Sequence, residues 1–187
     1  MIDRRHLLGI GTLVALAPNL VQAASMSRVT AYAFTFKGLD GSEILLSSFA
    51  GRPILVVNTA SLCGYTPQYT GLQALWTQYR SKGLMVLGVP SNDFGGQEPG
   101  GKAEIVKTAQ DDYHVTFPLT EKVAVKGPAA HPFYRWAALE RPPEVPRWNF
   151  HKYLIGRDGR LKGAFTSAVE PNDPKLIGAI EQELSSS

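Results

Sequence analysis

The sequence predicts an α/β sandwich with a mixed central sheet, and three observations predict it. A β-branched run, Ile54-Leu55-Val56-Val57-Asn58-Thr59, is framed by Arg52-Pro53 and a loop, as a strand buried on both faces would be. Leu72, Leu75, Trp76 and Tyr79 then fall at helical spacing before a second apolar run, Leu84 to Val89, which completes a strand–helix–strand unit whose right-handed crossover makes the strands parallel. Two turn signals near the ends, Gly38-Leu39-Asp40-Gly41 and Asp158-Gly159, add antiparallel hairpins.

Taken in order, residues 1–23 read as an address. A charged start carries Arg4-Arg5-His6-Leu7-Leu8, similar to the twin-arginine export motif but without its usual Phe and Lys. An apolar run to Ala17, Pro18 and Val21-Gln22-Ala23 follow, so cleavage after Ala23 is expected. The run is shorter than the roughly 20 residues that span a bilayer. The expectation is therefore a protein exported by the twin-arginine or the Sec route to the periplasm, without a stable membrane anchor, its residues 24–187 forming one domain.

The mature chain opens on a hairpin of Tyr32 to Phe36 and Glu43 to Leu46. Gly83 should stop the first helix. Ile105, Ala109 and Tyr113 predict a second helix, and Pro132 to Leu139 a third. A last helix is capped by Asp173-Pro174 and carries Leu176, Ile177, Ile180 and Leu184 on one stripe. Between the last two, Tyr153 to Ile155 and Leu161 to Phe165 surround Asp158-Gly159 as a hairpin.

Composition excludes several classes. At 187 residues, with 44% hydrophobic and 19% charged, the chain supports one good core and not two ordinary domains. Its net charge of +3 comes from singly scattered Lys and Arg, so the basic patch of a nucleic-acid binder is absent. The four histidines have no metal-ligand spacing, and no metal or cofactor is expected. One cysteine forbids an intrachain disulfide, leaving Cys63 as either a small buried hydrophobe or a reactive thiol.

Position favours the thiol. Cys63 follows the C-terminal end of the buried strand and precedes a helix, the crevice where open α/β sheets bind ligands. Amides at a helix start favour thiolate over thiol, which makes such a cysteine nucleophilic.

Three blocks then carry a resemblance. They are Val57-Asn58-Thr59-Ala60-Ser61-Leu62-Cys63-Gly64-Tyr65-Thr66, Asn92-Asp93-Phe94-Gly95-Gly96-Gln97-Glu98-Pro99-Gly100 and Trp148-Asn149-Phe150-His151-Lys152-Tyr153-Leu154. In this order and spacing the chain resembles the glutathione peroxidases from about Ala31 to Leu184. The resemblance implies a thioredoxin-like fold and a catalytic tetrad of Cys63, Gln97, Trp148 and Asn149. It also implies reduction of hydrogen peroxide or organic and lipid hydroperoxides through a sulfenic acid on Cys63. The Gln97 amide, the Trp148 indole N–H and Asn149 are expected to donate to the thiolate and to the departing oxygen without adding a competing base.

The chain departs from the pattern in places. Where many relatives carry a resolving cysteine, it has Lys107-Thr108-Ala109-Gln110, and Ser91 stands at another frequent cysteine position. The oxidised sulfur therefore needs an external thiol, such as glutathione or a thioredoxin-like protein. Asp93 replaces a common Gln or Asn and is expected to set a carboxylate near the site, unfavourable to a thiolate. The short, proline-rich residues 137–147 are similar to members without a tetramer-forming insertion, which implies a monomer.

Gly96 to Lys102 has phosphate-loop spacing, but Ala103 replaces the magnesium-holding hydroxyl and Pro99 deletes an amide. A thioredoxin-like metallochaperone would need paired cysteines. A non-turnover peroxide sensor or thiol-binding module using Cys63 stoichiometrically is the main alternative.

Overall fold

The computed structural model describes residues 29–185; the expected leader and cleavage site lie outside them. Among the described residues, six strands form two sheets. In the small one, β1 (Thr35–Lys37) pairs antiparallel with β2 (Glu43–Leu45). In the larger, β3 (Ile54–Thr59), β4 (Met85–Pro90), β5 (Lys152–Ile155) and β6 (Leu161–Phe165) lie in the order β4-β3-β5-β6. The β3–β4 pair is parallel, while β3–β5 and β5–β6 are antiparallel, so the sheet is mixed as expected.

Every residue of β3 is buried because helices or loops cover both sheet faces, and alternation sorts its side chains between two cores. Leu55 and Val57 pack with Leu72 and Leu75 of α1 (Gln68–Tyr79) and with Leu176 and Ile180 of α4 (Pro174–Ser185). Ile54 and Val56 face Phe36 of the hairpin and Phe133 and Trp136 of α3 (Pro132–Glu140). Each fully buried Leu, Ile or Phe contributes roughly 1.5–3 kcal/mol of transfer free energy, which makes these two layers the main stabilising term.

Local chemistry sets the ends. Gly83 takes φ 113, the left-handed value that ends α1 and its short 3-10 extension (Arg80–Lys82). Asp173 accepts from the Lys175 amide at 2.8 Å and so caps α4 ahead of Pro174.

Three details differ from the sequence reading. Ala31–Ala33 form a 3-10 turn, so the first strand starts only at Thr35, and Leu46 opens a second 3-10 turn (Leu46–Phe49) instead of ending β2. The second helix is α-helical only over α2 (Lys102–Val106) and widens to a π-helix over Lys107–Asp112.

Candidate active site

The three sequence blocks meet at one end of the larger sheet because backbone hydrogen bonds lace their loops together. Past β3, the Thr66 hydroxyl donates to Ala60 O at 2.8 Å and accepts from the Cys63 amide at 3.1 Å, closing the loop on itself. Past β4, Ser91 N–H donates to Thr59 O, and Leu62 N–H donates to Gln97 O at 2.9 Å. Ahead of β5, Phe150 N–H donates to Asn58 O at 2.6 Å and Asn58 N–H to His151 O at 3.2 Å. The Asn58 side chain adds a bond from Nδ2 to Trp148 O at 3.1 Å.

Backbone conformation then decides which side chain faces where. Gly95 and Gly96 have φ 66 and 63, and Gln97 N–H reaches back to Phe94 O, so the chain reverses in a turn that L side chains rarely adopt. Phe150, with φ 63, is a non-glycine residue in the same region. Its left-handed kink leaves Trp148 40% exposed while Asn149 and Phe150 are fully buried, the Phe150 ring edge-on to Tyr69 at 5.3 Å.

Cys63 is buried to 7% exposure at the edge of one core, and its sulfur accepts the Tyr65 amide at 3.4 Å. Because α1 starts only at Gln68, the amide facing the sulfur comes from the loop's own turn and not from the first turn of the helix. The expected cluster is assembled differently from the sequence reading in one respect. Asn149 Nδ2 donates to Gln97 Oε1 at 2.9 Å and to Phe94 O at 3.5 Å, so both its donors are committed to the Gln97 loop rather than to the thiol. Trp148 stands over Phe94 at 6.1 Å between centroids, against the Gly95 turn. Leu62, 67% exposed, borders the same turn through its bond to Gln97, which gives the thiol loop an apolar rim. A cavity of about 630 Å³ opens alongside, between Tyr65, Trp148, His151 and Phe165.

Asp93, in the same loop as Gln97, holds backbone. Its Oδ2 accepts the Val125 and Lys126 amides at 2.6 and 3.1 Å, a structural tie across two loops.

Sequence similarity decides what this geometry belongs to. The glutathione peroxidase family model matches residues 31–138. The chain belongs to the glutathione peroxidase family. It is 44% identical over 153 residues to a hydroperoxy fatty acid reductase of Synechocystis sp., covering 77% of this chain and 90% of that one. The solved structure of Trgpx in its apo form superposes with a TM-score of 0.66 at 36% identity, covering 83% and 98% of the two chains. A thioredoxin-family thiol:disulfide interchange protein of Chlorobium tepidum, at 15% identity and TM-score 0.63 over 84% of this chain and 97% of that one, shares the fold. This glutathione peroxidase therefore has a thioredoxin-like fold, and its family places it among the peroxidase oxidoreductases.

Three polar groups around the site escaped sequence reasoning. Glu98 is 1% exposed, and burial pushes its carboxyl above the ordinary range against the opposing pull of Ser61 and Lys122. Lys152 is fully buried, its Nζ donating to Gln68 Oε1, Phe150 O and Val169 O at 2.7, 2.9 and 2.7 Å, and burial lowers it to about 8. His151, 4% exposed, is pushed down to about 4 by burial and then by Lys152. Each is a charged-type residue in a loop or strand where sequence alone favours solvent. The one available hint was their place inside the three blocks.

Proposed function

We propose that this peroxidase reduces hydroperoxides through Cys63, with Gln97, Trp148 and Asn149 as the groups that prepare and complete the reaction. The observation that carries the reading is the convergence of the three loops on the chain's one cysteine, whose sulfur faces a backbone amide. The thiolate attacks the outer oxygen of ROOH, and the O–O bond breaks. Cys63 becomes a sulfenic acid, and ROH leaves after taking up a proton. In this scheme the Gln97 NH2 and the Trp148 indole act as the donors that stabilise charge on the departing oxygen.

Asn149 acts one step back, by holding the Gln97 amide. The single cysteine hands reduction to outside thiols: one condenses with the sulfenic acid and releases water, and a second resolves the mixed disulfide. No bound cofactor takes part in this scheme. The exposed Leu62 and Trp148 suit an apolar hydroperoxide tail, which favours lipid or organic hydroperoxides beside hydrogen peroxide. The working protein is proposed to be residues 24–187, a monomer exported to the periplasm; replacing Arg4 and Arg5 by Lys distinguishes the routes, retaining it in the cytoplasm if export is by the twin-arginine route and leaving export intact if it is by Sec.

The test is steady-state hydroperoxide reduction by the mature chain with glutathione, thioredoxin or a small dithiol, beside Cys63→Ser. Repeated turnover that vanishes in the variant, with a dimedone adduct on Cys63, is the expected result. Consumption of one equivalent of peroxide, whatever thiol is offered, would instead identify a stoichiometric sensor. Equal rates in both proteins would remove Cys63 from the chemistry.

A further inference from the structure

Behind the thiol loop lies a cluster of polar groups that the reaction above does not use. Glu98 points inward from the residue after Gln97, and its carboxyl meets the hydroxyl and amide of Ser61, two residues before Cys63. The Tyr69 phenol, fully buried on α1, lies within electrostatic reach of the same carboxyl and faces Thr59 at the end of β3. These approaches stop short of direct hydrogen bonds: Glu98 Oε2, Ser61 Oγ, Tyr69 OH and Thr59 Oγ1 are all buried without a protein partner.

Four such atoms in one place need an explanation, because each buried group left unpaired costs about 1–3 kcal/mol. Polar clusters of this kind take up internal water, one molecule satisfying about three groups. The main chain of Glu98 is pinned from outside. Its N–H donates to Asn92 Oδ1 at 2.9 Å, and its carbonyl accepts Lys122 Nζ at 3.0 Å. The side chain is therefore committed to the interior, beside the Leu62–Gln97 backbone bond that joins the two functional loops.

We propose that Glu98 is a positioning residue: with Thr59, Ser61, Tyr69 and bridging water, its carboxyl locks the Gln97 segment to the Cys63 loop and so sets the Gln97 amide relative to the thiol. The inference rests on the reading of Cys63 as the reacting thiol and Gln97 as a group that serves it. Charge agrees with the geometry. The charged or titratable groups facing Glu98 are Lys122, which is spent on the backbone carbonyls of residues 98–100, and Tyr69. Burial shifts the carboxyl toward its neutral form, and that form both donates and accepts in such a ring.

The experiment measures single-turnover oxidation of Cys63 by hydrogen peroxide in Glu98→Gln, Glu98→Leu, Gln97→Ala and the Gln97→Ala/Glu98→Leu double variant. Glutamine keeps shape and hydrogen bonding, so its rate should stay within about threefold of wild type. Leucine should cost on the order of 100-fold, the scale of a roughly 1 Å misplacement. The double variant should be no slower than Gln97→Ala alone, because the effect runs through Gln97.

Losses that multiply in the double variant would overturn the proposal, as would a folded Glu98→Leu protein with wild-type rate. A Gln97→Ala rate equal to wild type overturns it too, and marks the failure of the Gln97 assignment itself. Should the leucine variant not fold, the thermal stability of Glu98→Gln decides. A raised native carboxyl pKa makes wild-type stability fall as pH rises above the unfolded carboxyl value of about 4.5, so the glutamine variant must gain on wild type as pH climbs past that value. A stability difference that does not change with pH overturns the neutral cradle.

Discussion

Asn149 Nδ2 donates to Gln97 Oε1 at 2.9 Å, and this bond fixes which end of the Gln97 amide faces the rest of the site. An amide whose oxygen is held from one side presents its NH2 to the other. Asn149 itself is fully buried beneath the kink at Phe150, with its carbonyl accepting the Ser167 hydroxyl, so it has little freedom to do anything else.

Asn149→Ala should accordingly release Gln97 to rotate, lowering the peroxide-dependent kcat/KM about 10-fold, whereas Asn149→Asp should cost on the order of 100-fold. The carboxylate would attract the Gln97 NH2 and turn the donor away from the thiol. Steady-state kinetics with one thiol at saturation checks the order. If the aspartate variant is the faster of the two, Gln97 orientation is not what Asn149 supplies.

Asp93 gives the complementary expectation. Its carboxylate satisfies two backbone amides, at 2.6 and 3.1 Å, that join the Gln97 loop to the segment before α3. Asp93→Asn keeps one acceptor oxygen but loses charge-assisted bonds, so stability should fall by about 1 kcal/mol. Iodoacetamide alkylation of Cys63 should stay within about twofold, since the charge is spent elsewhere. Urea unfolding and alkylation rates read the two effects separately. A large gain in thiol reactivity in the variant would restore the sequence-based view of Asp93 as an unfavourable neighbour.

That contrast marks where reading the sequence succeeds and where it stops. The β3 strand was legible because six residues in a row suit double-sided burial, and α1 because Leu72, Leu75 and Tyr79 share one face. Cys63 was legible from its place after a buried strand, while Gln97, Trp148 and Asn149 were readable only through the family motifs, since nothing in a lone amide or indole distinguishes a site from a loop. Orientation was not legible at all. The direction of Asp93, the inward turn of Glu98 and the commitment of Asn149 to Gln97 follow from contacts between segments 30 to 60 residues apart, which no local pattern encodes. The π turn at Lys107–Asp112 belongs to the same class.

Lys152 shows how far a buried charge can be integrated. Its three oxygen partners come from the first turn of α1, the kinked residue Phe150 and the loop after β6, so one ammonium ties together three elements around the site. Lys152→Met removes the donor and strands three acceptors, and should destabilise the chain by about 3 kcal/mol, or roughly 6–12 °C in Tm. The pH dependence has a definite sign. With its native pKa lowered to about 8, folded Lys152 binds fewer protons than unfolded Lys152 between about 8 and 10.5, so the wild type gains stability there as pH rises. The deficit of the methionine variant should widen over that interval in calorimetry. A deficit that narrows would mean the lysine is held more easily as a cation than its burial implies.

His151 predicts the behaviour in acid. Its ring is packed edge-on to Tyr153 at 4.7 Å, its Nε2 is buried without a partner, and Lys152 follows it in the chain. Burial first, and the neighbouring cation second, push its native pKa down to about 4, whereas the unfolded chain takes up a proton near the ordinary value of 6.5. Between those limits the unfolded state binds more protons than the folded one, so stability is present above about pH 6.5 and is lost as pH falls toward 4. A shift of this size corresponds to as much as about 3 kcal/mol. His151→Phe should therefore match wild type within about 1 kcal/mol at pH 7.5, the aromatic packing being kept, and exceed it by about 1–2 kcal/mol at pH 5. Urea unfolding of both proteins at pH 7.5, 6 and 5 makes the comparison. Parallel losses in the two proteins would assign the acid sensitivity to the carboxylates and leave His151 with a packing role alone.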